Sequence, residues 1–317
     1  MNAHVILNPA AGPRDLHRQV NKAIEYLRTN GWHVTLLETR EKGDAIRLAR
    51  QAADAGSDAA IAVGGDGTIN EVVNGLAGSE TALGIIPAGT ANVYAADVGI
   101  PIWNPLRPNA VRLAAEIVHS GLRHKIDLGR LELADGRQRY FFMWCGVGLD
   151  AAITQEVHTE DTRRLGMAAW VVAGVLVAVN FMGTRGTVTV DNQNGRKRVL
   201  WAVVSNGQLY GRLWRIAPRA KMNDGILDLT VFEGYGVLST LRHLASLTFG
   251  RYARDPTVHF YRGCSFSIET RKPLPVHVDA EPIGTTPVQI NVIPGSLNVL
   301  LPTKFPEHLL LKNNNRH

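Results

Sequence analysis

The chain has 317 residues, of which 45% are hydrophobic and 20% charged, with 31 Gly, 15 Pro and two Cys. At about 150 residues per domain this length predicts two domains, and the composition excludes a disordered, collagen-like or coiled-coil protein. The net charge of +6 is uneven, because residues 1–120 hold 10 Lys and Arg against 12 Asp and Glu, whereas residues 121–317 hold 24 against 16.

The two cysteines, Cys145 and Cys264, lie far apart and in no metal-ligand spacing. We therefore expect no disulfide framework and a reducing, cytosolic setting. The amino terminus lacks a basic head and a long apolar run, so a signal peptide is not expected.

The first 120 residues alternate strand-like and helix-like patterns. Short apolar runs predict strands at residues 5–7, 33–37, 59–63 and 83–86. Apolar residues at helical spacing predict helices at residues 14–30, 44–55 and 69–76. The run at 59–63 is apolar throughout, as in a sheet that helices cover on both faces. The alternation predicts an α/β domain with a doubly wound parallel sheet.

Beyond residue 123 strand-like runs dominate. They lie at residues 125–133, 139–145, 186–190, 199–205, 227–232, 265–269, 276–279 and 288–292. Turn signals separate them, including residues 192–195 and 223–225. This part predicts an antiparallel β-sandwich or barrel-like domain, and the boundary is expected within residues 104–122.

One segment, Gly166–Gly183, is apolar apart from Asn180 and reaches the minimum length of a membrane span. Three readings stay open: a membrane span, a buried core helix, and a helix at the membrane interface. The flanking Arg163, Arg164 and Arg185 favour the interfacial reading over the span.

The sequence Gly64-Gly65-Asp66-Gly67-Thr68 lies between a predicted strand and a predicted helix, where α/β sheets bind ligands. Glycines there let backbone N–H groups approach phosphate oxygens, and the amino end of the helix attracts anions. Neither the dinucleotide-binding glycine pattern nor the P-loop pattern is present. By itself the loop also fits a tight turn with an Asp cap.

The longer string around this loop closely resembles the catalytic family of diacylglycerol and sphingosine kinases. The matching segments are residues 8–12, 64–76, 86–92, 146–151, 206, 210–211, 217–220, 223–228 and 278–282, in the family's order. The resemblance covers most of the chain. It implies ATP-dependent phosphorylation of a lipid hydroxyl with Mg²⁺, on a diacylglycerol-, sphingoid- or phosphatidylglycerol-like acceptor in phospholipid metabolism. It also implies two domains, residues 1–122 and 123–299, with the nucleotide in the cleft between them and residues 300–317 returning to the first.

The resemblance also assigns site residues. Those expected to bind the nucleotide are Asn8, Pro9, Gly12, Thr39, Gly64, Gly65, Asp66, Gly67, Thr68, Asn70, Glu71, Gly89, Thr90 and Asn92. Asp66 is expected to hold the catalytic Mg²⁺, and Asp279 or Glu281 to accept the proton of the lipid hydroxyl. A structural Mg²⁺ would bind Asp224 and the carbonyl groups of Lys221 and Ile226, although a hairpin turn explains Asp224 equally well.

Two positions depart from the family pattern. Val93 stands where many members have Asp, which weakens any transfer of diacylglycerol specificity. Ala280 replaces the Gly of the Asp-Gly-Glu element, a modest change if the backbone there does not need positive φ. If the strand at 276–279 continues to Glu281, Asp279 and Glu281 point to one face.

The competing classes are an NAD kinase, which shares the glycine loop, and a catalytically silent lipid-binding protein. Nucleic-acid binding is the weakest alternative, because the basic half has no recognisable module. We expect a cytoplasmic protein that visits anionic membranes, binds a lipid substrate and binds no nucleic acid. A homodimer is left open.

Overall fold

The computed structural model describes residues 1–12, 14–89, 91–104, 106–157, 167–211 and 214–311. Within these ranges the chain divides into two compact units. The first unit consists of residues 1–128, 222–224 and 294–311, and the second of residues 129–221 and 225–293.

The elements from the amino terminus to residue 133 are β1 (Asn2–Leu7), α1 (Arg14–Thr29), β2 (His33–Glu38), α2 (Asp44–Asp54), β3 (Ala59–Gly64), α3 (Asp66–Leu76), β4 (Ala82–Pro87), α4 (Val93–Asp97), α5 (Ala110–Ser120) and β5 (Leu122–Leu133). Those that follow are β6 (Gln138–Phe141), β7 (Trp144–Gly148), α6 (Leu149–Glu156), α7 (Met167–Asn180), β8 (Thr184–Val190), β9 (Gln193–Ser205), β10 (Leu209–Tyr210), β11 (Trp214–Arg215), β12 (Leu227–Glu233), α8 (Gly236–Thr248), β13 (Val258–Gly263), β14 (Ser265–Thr270), β15 (Pro275–Val278), β16 (Glu281–Thr285) and β17 (Val288–Leu301).

The first unit is built on a parallel sheet in the order β2-β1-β3-β4. All six residues of β3 are buried, as they must be when helices cover both faces of a sheet. The carboxyl-terminal part of β17 extends this sheet, because Asn298 and Val299 pair in parallel with Ala82 and Leu83 of β4. The predicted parallel α/β unit is therefore confirmed.

The second unit is antiparallel. Its strands follow the order β16-β15-β7-β9-β8-β14-β17, with β12 paired to both β9 and β13. Buried apolar residues of these strands and of β5 and β6 meet in one core that includes Leu131, Phe141, Val204 and Phe266. Burial of these residues holds the unit together.

Three local predictions are wrong. The turn between β8 and β9 is Asp191–Asn192, at φ of 44° and 72°, and residues 193–195 belong to β9. The predicted strand 139–145 is interrupted at residues 142–143. Helix α3 begins at Asp66 rather than at residue 69, so the glycine loop is continuous with its first turn.

A further correction concerns the hairpin between β15 and β16. The strand does not continue to Glu281, because Asp279 and Ala280 form a two-residue turn at φ of 45° and 64°, and Val278 pairs with Glu281. Both central residues have positive φ, as a type I′ turn requires. Ala280 therefore occupies a backbone conformation that favours glycine.

The apolar segment around residue 170 forms α7, a helix of 14 residues. None of the helices in the described ranges has the length and apolarity needed to span a membrane. Arg163 and Arg164, which flank the predicted segment, and Gly166, its first residue, lie outside the described residues.

Candidate active site

The glycine loop joins β3 to α3 and comes close to a second loop after β4. A Cβ atom placed on Gly89 would lie 2.4 Å from Cα of Gly65, and one on Gly64 would lie 2.5 Å from Oγ1 of Thr68. Only glycine allows these approaches. Gly67, by contrast, is exposed and faces open space. The first turn of α3 thus presents an exposed backbone at the positive end of the helix dipole.

The side chain of Asn92 stabilises the loop after β4 through hydrogen bonds to its backbone. Its buried side chain accepts a hydrogen bond from the backbone N–H of Gly89 at 3.0 Å and donates one to the Gly89 carbonyl at 2.6 Å. The residue itself lies in the left-handed region, at φ of 47°. Thr90, which the sequence also assigns to this loop, lies outside the described residues.

Asp66 connects the two loops. Its Oδ1 accepts a hydrogen bond from the backbone N–H of Val93 at 2.8 Å, while the Val93 side chain is buried. Position 93, which departs from the family pattern, therefore contributes its amide to Asp66. Any amino acid except proline supplies that amide.

The residue after β1 is hydrogen-bonded to the glycine loop, and the residue after β2 is hydrogen-bonded to the end of β1. The Asn8 side chain donates from Nδ2 to Oγ1 of Thr68 at 3.0 Å, and its Oδ1 accepts from the amide of Ala10 at 3.0 Å. The amide of Thr39 donates to the Leu7 carbonyl at 2.9 Å. Pro9 and Gly12 are exposed in the loop that follows β1.

Two predicted nucleotide-binding residues on α3 have partners within the fold. The Glu71 carboxylate accepts hydrogen bonds from the amides of Gly43 and Ala45, at 3.0 and 3.2 Å, and so stabilises the start of α2. Asn70 is buried, and its Oδ1 accepts from the Asn74 side chain at 3.1 Å.

In the second unit, Asp279 is buried in the hairpin turn. Its carboxylate accepts three backbone hydrogen bonds of 3.0 Å each, from the amides of Phe142, Met143 and Trp144. The amides of Phe142 and Met143 lie in the interruption between β6 and β7, and that of Trp144 begins β7, so the side chain satisfies donors at the strand break. Asp279 thereby holds the turn against the strand break.

Glu281 differs from Asp279 in exposure and partner. Its side chain is 18% exposed, and Oε2 lies 2.7 Å from a guanidinium nitrogen of Arg139. The guanidinium orients the carboxylate at the start of β16. No sequence pattern points to Arg139, because its contact with Glu281 depends on how β6 lies relative to β16.

Beneath the hairpin lies a buried polar network that the sequence analysis missed. Nε2 of His277 lies 3.0 Å from Oδ2 of Asp150, and the Tyr210 hydroxyl donates to the same oxygen at 2.8 Å. The backbone amide of Ala280 donates to Nδ1 of His277 at 3.2 Å. The Asp150 and Tyr210 motifs matched the family pattern, but their contact with each other requires the tertiary structure.

The electrostatics of this region keep two neighbouring groups protonated. Burial raises the pKa of the Tyr210 hydroxyl well above its ordinary value, and the charge of Asp150 raises it further. Burial likewise raises the pKa of the Cys145 thiol, as do the charges of Asp150 and Asp279. Tyr210 therefore remains a hydrogen-bond donor and Cys145 remains a thiol near neutral pH.

The loop that carries Asp224 does not form a hairpin. The amide of Met222 donates to the Leu309 carbonyl at 2.8 Å, and the Asn223 side chain accepts from the Leu311 amide at 2.5 Å. Gly225 lies at φ of 71°, where the chain turns toward β12. Lys221, Asp224 and Ile226 are half-buried in this loop.

Two family models match the chain. The diacylglycerol kinase catalytic domain matches residues 2–131, and the YegS C-terminal NAD kinase beta sandwich-like domain matches residues 144–301. The order of an α/β domain followed by a β-sandwich is the one that the sequence predicts, and this prediction is confirmed.

Curated relatives align along nearly the full chain. A protein of Chromohalobacter salexigens named "Probable lipid kinase YegS-like" is 32% identical over 296 residues, covering 90% of this chain and 89% of the relative. The diacylglycerol kinase of Bacillus subtilis is 26% identical over 309 residues, covering 97% of this chain and 98% of the relative.

Solved structures have the same fold. A structure from Bacillus anthracis str. Sterne matches with a TM-score of 0.78 at 26% identity, covering 95% of this chain and 97% of that one. A diacylglycerol kinase structure from the same organism matches with a TM-score of 0.70 at 23% identity, with the same coverage.

Proposed function

Because the chain belongs to the diacylglycerol kinase catalytic family, with a YegS-type C-terminal domain, we propose that it transfers the γ-phosphoryl group of ATP to a hydroxyl group of a lipid. The names of its relatives support kinase chemistry on a lipid. The likeness to NAD kinases is limited to the description of the C-terminal domain.

The observation that carries the proposal is the close approach of two glycine loops at the start of α3. Gly65 and Gly89 leave no room for a side chain between them, whereas Gly67 faces open space. Exposed amides at a helix amino terminus bind phosphate groups. We therefore assign the ATP phosphates to this loop, with Thr68 and Asn8 beside it and Thr39 toward the rest of the nucleotide.

The donor set at Asp66 fits Mg²⁺. In the described part of the chain, no three His, Cys, Asp or Glu side chains group closely enough to hold a metal by themselves. Mg²⁺ in kinases is instead held by one or two carboxylates together with substrate phosphates and water. A half-buried carboxylate next to the glycine loop suits that role. When bound there, Mg²⁺ would neutralise charge on the phosphates.

We assign the general base of the reaction, which takes the proton of the lipid hydroxyl, to Glu281. A lipid hydroxyl attacks the γ-phosphorus, so that a new O–P bond forms as the bond to the bridging oxygen breaks and ADP leaves. The Glu281 carboxylate accepts the hydroxyl proton. Its exposure supports this role over Asp279, whose carboxylate is buried against three backbone amides.

A second Mg²⁺, structural in role, is proposed for the loop at Asp224. A carboxylate and the backbone carbonyls of Lys221 and Ile226 are oxygen ligands of the kind that Mg²⁺ prefers. Here the metal would stabilise the loop and take no part in phosphoryl transfer.

The protein would reach its lipid substrate by placing α7 and α8 against an anionic membrane. These two helices contact each other and expose large apolar side chains, among them Leu176 and Val179 on α7 and Leu238 on α8, which is 80% exposed. Exposed Arg251 and Arg254 follow α8. Apolar residues beside arginine are typical of helices that lie in the membrane interface.

The direct test incubates the purified protein with radiolabelled ATP, Mg²⁺ and a total lipid extract, and identifies the labelled product. We expect one labelled phospholipid class. Parallel incubation with NAD tests the competing kinase class. Label in NAD phosphate alone, or no label with ATP binding intact, would refute the lipid kinase.

Asp66→Ala serves as the mechanistic control in this assay. The loss of a contact to transition-state charge costs about 3–4 kcal/mol, so we expect the rate to fall by a factor of several hundred. Folding should be retained, because the Asp66 side chain is only half-buried. Near-normal activity in this variant would remove Asp66 from the mechanism.

A further inference from the structure

A network of polar side chains in the second unit joins His277, Asp150 and Tyr210. The side chains of His277 and Asp150 are 1% and 6% exposed, so both are almost completely removed from water. Neither has a part in the reaction proposed above. Burial of an imidazole and a carboxylate is costly unless each is fully hydrogen-bonded.

The contacts define which imidazole nitrogen carries the proton. Since the Ala280 amide donates to Nδ1, that nitrogen must be an unprotonated acceptor. Nε2 therefore carries the proton and donates it to Oδ2 of Asp150. The other carboxylate oxygen, Oδ1, accepts from the amide of Ala151 at 2.8 Å in the first turn of α6.

Space for this network depends on one glycine in β7. A Cβ atom on Gly146 would lie 2.0 Å from Oδ2 of Asp150 and 2.2 Å from Nε2 of His277. Any larger residue would push the two groups apart.

The last hydrogen bond of the network is made by Ala280, the residue of the hairpin turn with a strained backbone. Ala280 lies at φ of 64° and immediately precedes Glu281. The left-handed conformation is unfavourable for alanine, so it persists only where surrounding contacts impose it. The His277 ring supplies one such contact, and the Asp279 carboxylate supplies others from the preceding residue.

We propose that His277, itself held by Asp150, is a positioning residue that fixes the backbone of the 279–280 turn and thereby aims Glu281 at the lipid hydroxyl. This inference rests on the proposed function only for the identity of the reaction. The alignment of a base matters because a displacement of about 1 Å can lower a rate about 100-fold.

Two conservative variants each remove one of the two hydrogen bonds of the His277 ring and keep the other. His277→Gln places its amide near Nε2 and keeps the contact with Asp150 but loses the acceptor for the Ala280 amide. His277→Asn places its amide near Nδ1 and does the reverse. We expect kcat to fall about 10- to 100-fold in His277→Gln and less in His277→Asn, with the KM for ATP unchanged in both.

The matched control is His259→Gln, since His259 also faces a carboxylate, Glu233, but at a half-exposed position in β13. We expect it to keep the activity of the unchanged protein. Gly146→Ala should reproduce the kcat loss of the His277 variants, because it displaces the same two groups.

Combination with Glu281→Gln distinguishes positioning from general destabilisation. If His277 acts through Glu281, His277→Gln has no further effect on the residual kcat of Glu281→Gln. An equal fold-loss in both backgrounds, or full kcat in His277→Gln, would overturn the proposal.

Amide hydrogen exchange of residues 276–285 tests the proposal without measuring activity. We expect faster exchange of the turn in His277→Gln, with global unfolding unchanged. If the unchanged protein phosphorylates no lipid, the proposed function fails while this measurement still decides whether His277 holds the turn. Unaltered exchange would reject the role of His277.

Discussion

Asp279 and Glu281 are two residues apart, yet their surroundings give them different chemistry. Asp279 accepts hydrogen bonds from three consecutive amides and is buried, while Glu281 is partly exposed and pairs with Arg139. A carboxylate surrounded by backbone donors has no room for a substrate hydroxyl. The Glu281 side chain, which is 18% exposed, is accessible from solvent.

This contrast predicts opposite phenotypes for two isosteric substitutions. Glu281→Gln should lower kcat by about 10²–10⁴-fold with little change in ATP affinity or unfolding temperature, because only basicity is lost. Asp279→Asn should destabilise the protein by about 1.5–3 kcal/mol, because a charged acceptor of backbone amides is removed. Steady-state kinetics and denaturant unfolding of both variants check the two expectations. Normal turnover in Glu281→Gln would place the base elsewhere.

Ala280 supplies a second prediction. Left-handed φ costs a non-glycine residue about 1–2 kcal/mol, and glycine forfeits about 0.5–1 kcal/mol of that gain through its freedom in the unfolded chain. Ala280→Gly should therefore raise the free energy of unfolding by up to about 1.5 kcal/mol. Ala280→Val is the opposing control and should lower it. Thermal unfolding of the pair tests the strain, and a destabilised Ala280→Gly would contradict it.

At the level of elements, the β3–α3 loop and the loop after β4 act as one unit because their glycines touch. Gly89→Ala should lower both stability and ATP affinity, since its Cβ would lie 2.4 Å from Gly65. Gly67→Ala should not lower stability, since nothing lies within 4 Å of its Cβ position and alanine is the better helix former.

The affinity of Gly67→Ala for ATP then reports on the space above the loop. If phosphates occupy that space, the added methyl group should weaken ATP binding in a correctly folded protein. Isothermal titration with ATP and Mg²⁺ measures this directly. Unchanged affinity in Gly67→Ala would move the phosphates to another part of the loop.

The exposed face of α8 predicts membrane affinity. The double variant Leu238→Gln and Leu241→Gln should lower sedimentation with anionic vesicles, because each leucine contributes about 1.5–3 kcal/mol when it leaves water. Leu106 of the first unit is 93% exposed, so Leu106→Gln is a matched control that should bind normally. Binding should also weaken with added salt. Equal binding by all variants would exclude α8 from the membrane contact.

Helices and strands could be predicted from the sequence where the apolar residues follow a clear pattern. The apolar run at 59–63 and the helical spacing of 14–30 predict β3 and α1 because burial alone decides them. The 279–280 turn was not accessible, since Ala at a left-handed position gives no turn signal. The His277–Asp150 contact joins residues 127 positions apart, and only the pairing of β15 with β7 brings them together.

At the scale of the whole molecule, the segment 222–224 belongs to the first unit although its neighbours on both sides belong to the second. A metal at Asp224 would stabilise this return of the chain. At 100 times its Kd, a ligand that binds only the folded state contributes about 2.7 kcal/mol to stability. We therefore expect Mg²⁺ to raise the unfolding temperature over that in EDTA, and Asp224→Ala to abolish most of this increase. An identical Mg²⁺ response in Asp224→Ala would exclude the site.

The parallel pairing of β17 with β4 has a consequence for how the chain can be divided. Residues 1–128 read as a self-contained α/β domain, but its β4, which pairs with β3 on one side, acquires its second neighbour only when residues 298–299 have been added. A fragment that stops at 128 would leave the unpaired amides and carbonyls of a fully buried, apolar strand as an open edge. Such an edge templates the pairing of further copies, so that fragment would aggregate. During synthesis the same edge stays uncovered until residues 298–299 have been made, so the nascent chain is prone to aggregate up to that point.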